Sequence, residues 1–334
     1  MPTIPALVGG IAVRAYDLPG SIVFAAAFAL LHTALAIRLI DKRWRTILVL
    51  QPLLFCIERQ ILFTLRAGVA ARPHTESDGL SRFMQASFTL GYLDTSETVL
   101  KLIRTVLVNS TTGTPVSDIE GRSSLAESTT PVDRPRRRFW YRRWADFLEF
   151  LFLGALAAGI IATAQQSGPE ESGENFAHQL ERYISSGVGL TLVLLEMFTV
   201  IWASRNIPQI DRRAVRLLLA LTAVLVIPPI YRLAVMWHTT PDVRALNHDS
   251  LNTRLDKTLF YIMHLVPEWT AIFLMCLFNV REICQTGFKG DTRWWDETPK
   301  ERAKRERKER EKAQKKAEAA KSRSTIELAL LGNR

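Results

Sequence analysis

Eight residues carry the chemistry this sequence offers: Glu58, Arg59, Asp94, Glu196, Tyr231, Arg232, His264 and Glu268. Each stands within a long apolar run. An ionised side chain at the centre of a hydrocarbon layer costs about 2.5–3.5 kcal/mol on insertion scales, so it persists where it faces a protein interior and finds a partner, a cation or water. With Glu97 added, the acids in the apolar runs are five against two bases, Arg59 and Arg232, a nominal excess of three negative charges. Asp94 and Glu97 are three apart and share a helix face, and Lys101 follows Glu97 by four on that face. His264 and Glu268 have the same four-residue spacing. These groups suit binding of a ligand or a proton. Bond-making chemistry has no comparable support, because the chain carries no phosphate-binding glycine loop, dinucleotide fingerprint or nucleophile elbow. The six histidines are scattered and the three cysteines have no metal spacing, so no enzyme activity, cofactor or metal is expected.

The elements that must position these residues are membrane helices. About 20 mostly apolar residues cross about 30 Å of hydrocarbon. Seven candidate spans fit, at 20–40, 46–66, 82–104, 144–165, 183–203, 216–237 and 258–280. The fold class is therefore an all-α, seven-helix transmembrane bundle over 20–280. An outside lead over 1–19 precedes it, and a basic cytoplasmic tail over 281–334 follows. The first run is too long for the apolar part of a cleavable leader and is expected to act as a signal anchor.

The third span is the most polar, interrupted by Asp94, Glu97 and Lys101. Charge asymmetry argues that it crosses, since Lys and Arg accumulate on the cytoplasmic side. With seven crossings the connectors on the tail's side hold 17 Lys and Arg before the tail itself, against 8 on the other side. Without the third crossing, the Pro135-Arg136-Arg137-Arg138-Phe139-Trp140-Tyr141-Arg142-Arg143 stretch would lie outside. The segment is expected to cross sheltered inside the bundle, with the N-terminus outside and the C-terminus in the cytoplasm. The acidic connector 167–181 suits the outside, and Trp140, Tyr141, Trp144, Trp202 and Trp237 suit the membrane interfaces.

Helix breakers lie close to the charges. Pro228-Pro229 should kink span six just before Tyr231 and Arg232, Pro267 should kink span seven beside Glu268, and Pro52 sits in span two. Freed carbonyls at membrane depth need neighbours or water. The expectation is a polar cavity between spans two, three, six and seven that opens outward, with Arg232 paired to Glu58 or Glu268.

Residues 109–135, rich in Ser, Thr, Pro and Gly, read as a disordered cytoplasmic loop. The sequon at Asn109 faces the cytoplasm and should be unused. Cys56 and Cys276 read as core fillers, whereas Cys284 stands where palmitoylation could occur. The tail is expected to attract anionic inner-leaflet lipid. Nucleic acid is not an expected partner.

The span pattern resembles the fungal lipid-translocating exporter family of RTA-like seven-span membrane proteins. The resemblance runs from span two to span seven, through Glu58 and Arg66, Ile230-Tyr231-Arg232, Glu268-Trp269 and Leu277-Phe278-Asn279-Val280. Pro228, Val235 and Met275 stand where the family carries Arg, Glu and an acidic residue. The resemblance implies a lipid-linked or stress-linked role in a membrane. The plasma membrane is the default site, with an internal membrane as the alternative. The leading expectation is a membrane protein that binds, translocates or senses a lipid-like or cationic amphipathic ligand. A heptahelical receptor and a scaffold without ligand are the alternatives. The receptor lacks an Asp-Arg-Tyr-like switch and an extracellular cysteine pair.

Overall fold

A computed structural model describes residues 4–73, 77–111, 134–164, 172–208 and 210–288, with scattered helical positions between 303 and 314. The chain divides into two units, Met1–Asp291 and Thr292–Arg334. Among its described residues the first is helical apart from one two-residue strand pair.

Its helices are α1 (Arg14–Ile40), α2 (Leu50–Ala71), α3 (Asp78–Asn109), α4 (Pro135–Ala164) and α5 (Ser172–Asn206). They continue as α6 (Arg212–Leu225), α7 (Ile227–Val235), α8 (Arg254–Phe260), α9 (Val266–Leu277) and α10 (Val280–Ile283). Strand β1 (Ile4–Pro5) pairs antiparallel with β2 (Thr239–Thr240). Among the described residues, six helical stretches are long and apolar enough to cross a membrane. They comprise α1, α2 with the turn before it, α4, α5, the α6–α7 pair and the α8–α9 pair.

Helix α3 is equally long but too polar for that group, and it sits at the centre, packed against α2, α4, α5, α6 and α9. Its Thr89, Thr95, Ser96 and Thr98 are buried. The rim shows the opposite chemistry. Ile22, Val23, Leu30, Ile37 and Ile40 of α1 face outward, as do Phe150 and Leu153 of α4. Polar residues inside and large aliphatic residues outside invert the arrangement of a protein in water, and apolar surface of this extent marks a lipid-facing wall. The chain is a multi-pass membrane protein.

The helices break at both places where prolines are expected to kink them. Helix α6 stops at Leu225 and α7 restarts at Ile227 with Pro228 and Pro229 in its first turn, where a missing N–H costs little. Ahead of Pro267 the helix widens into a π turn over Tyr261–Leu265, because proline donates no hydrogen bond and its ring crowds the preceding turn. Pro52 produces no break, since it lies in the first turn of α2.

Several boundaries move. Helix α4 starts at Pro135, so the expected basic connector forms its first turns, and Arg138 is buried. Helix α5 starts at Ser172, well before the expected 183, and no proline interrupts it. The described part of the expected lead and the first residues of the expected tail, 281–288, join the bundle. At one end, here the upper, residues 4–13 pack among the helix ends. At the lower end the Ile47 amide donates to the Phe288 carbonyl at 2.8 Å, and the Asn109 side-chain amide donates to the Gln285 carbonyl at 2.8 Å. Residues 281–288 are therefore part of the bundle. Of the expected disordered loop over 109–135, residues 112–133 lie outside the described residues, whereas Asn109 closes α3 and Pro135 opens α4.

Candidate functional site: a buried polar interior at the upper end

Arg59 on α2 and Glu268 on α9 form a two-pronged ion pair, both fully buried. Arg59 Nε donates to Glu268 Oε2 at 3.1 Å, and Nη2 donates to Oε1 at 3.1 Å and Oε2 at 2.9 Å. Nη1 donates to the Ser87 carbonyl of α3 at 3.1 Å, and the guanidinium lies 4.7 Å from the Phe55 ring centre. This geometry satisfies the carboxylate and all but fills the donor set of the arginine, as a buried pair requires. Gly91 makes it fit: a Cβ there would stand 1.6 Å from Arg59 Nη2. Glu58, half-buried, reaches Arg59 Nη1 only at 3.5 Å.

A second network lies nearer the upper rim, and sequence reasoning missed it. Asp17 of α1 is fully buried and accepts from Arg66 Nη2 at 2.7 Å, the Val13 amide at 2.9 Å and the Tyr261 hydroxyl at 3.1 Å. Lys257 Nζ stands 3.1 Å from its second oxygen and donates to the Gly9 and Ile11 carbonyls. Arg66 Nη2 also donates to the Gly9 carbonyl at 2.7 Å. The bend that brings these carbonyls inward runs through Gly9 and Gly10, at φ +77° and +56°. This is backbone that glycine adopts without a Cβ penalty. The available signal was Asp17 one helical turn before the first span, with Arg66 and Lys257 at the same level on other spans.

Arg232 of α7 pairs with neither Glu58 nor Glu268, contrary to expectation, because Arg59 already occupies Glu268. Instead Nε donates to the Ser186 hydroxyl at 3.2 Å and Nη2 to the Thr89 hydroxyl at 2.8 Å. Its Nη1 is buried with no partner. One turn before Ser186 on α5, buried Arg182 donates through Nη2 to the Ala6 carbonyl at 3.0 Å, and its Nη1 is likewise unpartnered. His264 Nε2 donates to the Phe88 carbonyl at 3.0 Å, and the Tyr231 ring stacks 6.2 Å from the imidazole. The approach of His264 to Glu268 is 3.9 Å.

The other predicted residues lie apart. Asp94 accepts from the Gln51 side chain at 2.7 Å, and Gln51 also touches Glu97, which pairs with Lys101 at 2.7 Å. Glu196 is fully buried with both carboxyl oxygens unpartnered. Among the described residues no cluster of His, Cys, Asp and Glu could hold a metal.

The charge balance of the interior therefore reverses. Glu58, Asp94 and Glu97 reach partial exposure. Among the described residues above the lower end, the buried bases are Arg59, Arg66, Arg182, Arg232 and Lys257, against the acids Asp17, Glu196, Asp256 and Glu268. The expected outward opening is occupied by chain: Ala6 and Val8 are buried, and Val8 exchanges two hydrogen bonds with Gln85 at 3.1 and 3.0 Å. No protein-family model, curated protein or solved structure matches this chain.

Proposed function

We propose that this chain is a seven-span membrane protein that binds a lipid-like amphiphile in its polar upper interior and translocates or senses it. Helix α3 is the seventh crossing, tolerated because five neighbouring helices shelter it. The 17 to 8 distribution of Lys and Arg favours an outside N-terminus and a cytoplasmic tail. The tail then lies against anionic inner-leaflet lipid, and the plasma membrane is the home this reading favours.

The observation that carries the reading is the coincidence of helix breaks with buried, incompletely satisfied polar groups. The α6–α7 junction and the π turn flank Arg232 and His264, each with one unpartnered nitrogen, beside Tyr231 and Glu268. A bundle built only to hold together gains little from two weak points beside its most costly residues. A bundle that must open between α7 and α5 or α9 gains a hinge. The resemblance to lipid-translocating exporters runs through the same positions and favours lipid as cargo.

The test is reconstitution of the full chain in liposomes carrying a fluorescent short-chain lipid, with dithionite bleaching and lipid co-purification as readouts. Retained lipid, or inner-leaflet lipid becoming accessible faster than in protein-free vesicles, is expected. Neither effect, from protein that remains folded, would remove the reading in favour of a scaffold. The scaffold reading has its own support, since the Arg59–Glu268 and Asp17–Arg66–Lys257 networks are fully engaged as structural clamps.

A further inference from the structure

Two arginines buried in one protein interior without a carboxylate are costly, and the cost sets the chemistry a partner for them would need. Arg232 is 2 % exposed and Arg182 is 7 % exposed. Neither has an acidic side chain within ion-pair distance among the described residues, and each leaves one Nη1 unpartnered. They occupy one neighbourhood. Ser186, which accepts from Arg232, lies one turn along α5 from Arg182. A further donor lies in this neighbourhood: Tyr92 on α3, one turn beyond Thr89, is fully buried beside Ser186, and its hydroxyl makes no hydrogen bond of ordinary geometry.

Water would leave the two positive charges uncompensated, and a zwitterionic headgroup would bring its own cation in beside them. An acceptor carrying negative charge would satisfy both Nη1 groups and the phenol at once. We infer that Arg182, Arg232 and Tyr92, with the Thr89 and Ser186 hydroxyls as supports, form a binding site for the phosphate headgroup of an anionic lipid. This deepens the reading of the interior as a lipid site and rests on it. It also replaces the expected cationic ligand with an anionic one. The roof of the site is the N-terminal segment, held by the Ala6 carbonyl on Arg182 and by Val8 on Gln85. The apolar tails would leave between α5 and α7, next to the break at Val226.

The experiment uses the full chain in neutral detergent. Thermal unfolding and native mass spectrometry are followed during titration with phosphatidylglycerol, phosphatidylcholine or inorganic phosphate. Phosphatidylglycerol is expected to raise the unfolding temperature and remain bound, with phosphatidylcholine giving little effect. Arg182→Gln and Arg232→Gln are each expected to weaken phosphatidylglycerol binding about tenfold or more, the loss of one charge-assisted contact. Should either fail to fold, Tyr92→Phe, which removes only a hydroxyl, is expected to weaken it about threefold, with Arg232→Lys weaker than wild type but measurable. If inorganic phosphate stabilises as well as the lipid does, the site takes a free anion and the lipid assignment is overturned. Equal binding of phosphatidylglycerol and phosphatidylcholine would overturn the headgroup assignment while leaving the broader lipid reading intact. Binding of neither lipid would remove both.

Discussion

At the scale of single residues, the interior contains two kinds of charge. Arg59 and Glu268 are closed on each other, and Asp17 is closed by Arg66 and Lys257, so their removal should be felt as lost stability. Gly91→Ala places a methyl where the Arg59 guanidinium must lie. It is expected to destabilise the folded protein by about 3–5 kcal/mol, the cost of breaking a buried pair, as measured by unfolding in detergent. Wild-type stability in that variant would mean that the pair is not where it is described. Glu196 is the contrary case. Its carboxyl group meets no partner, so Glu196→Gln removes a burden rather than a contact. The expected result is an unfolding temperature equal to or above wild type, and a clear drop would show that Glu196 holds something essential. Cys284 is buried beneath the lower end, and burial, with Asp211 adding to it, pushes its thiol up to about 12. A raised thiol pKa means little thiolate at neutral pH, so maleimide labelling of folded protein should stay slow between about pH 7 and 9, where an ordinary thiol accelerates. Rapid labelling, or recovery of palmitate from this position, would contradict the burial.

At the scale of elements, the two interrupted helices differ from the rest. Helices α1 to α5 run without a break, whereas α6–α7 and α8–α9 are each divided beside the polar interior. If these breaks are hinges for ligand entry, Pro228→Ala with Pro229→Ala should straighten the junction. That change should slow lipid exchange several-fold while leaving stability unchanged or higher, since a proline removed from a helix restores a hydrogen bond. Unchanged exchange in a more stable protein would assign the prolines to packing alone. Helix α3 makes the complementary point. Its serines and threonines return hydrogen bonds to their own helix, as with Thr95 to the Gly91 carbonyl at 3.1 Å and Ser96 to the Tyr92 carbonyl at 2.7 Å. A polar central helix can thus be dry.

At the scale of the molecule, the N-terminal segment is a structural part of the bundle. It supplies carbonyls to Arg66, Lys257 and Arg182 and a paired backbone to Gln85. Removing residues 1–9 would strip Arg182 and Gln85 of these acceptors and take one carbonyl each from Arg66 and Lys257, which keep Asp17. The unfolding temperature is expected to fall by about 5 °C or more, and bound lipid to exchange faster. An unaltered truncated protein would show that the segment only rests on the surface.

The membrane character, the order of the helices and the places where helices break were legible in the sequence. They depend on local properties: run length, charge-free composition and the missing N–H of proline. The pairing at Glu97–Lys101 was legible for the same reason, as a contact within one helix. The partners of Glu268, Arg66 and Arg232 were not. They join residues up to 209 positions apart. Which arginine reaches a carboxylate first depends on helix rotation and on the small space at Gly91, which one-dimensional spacing does not contain. The interior's sign depended on the same tertiary choice. Partial exposure removes Glu58, Asp94 and Glu97 from the buried set, and packing of the chain's first residues brings Asp17, Arg66, Arg182 and Lys257 into it. Composition counts charges, but only the packed bundle decides which of them lose contact with water.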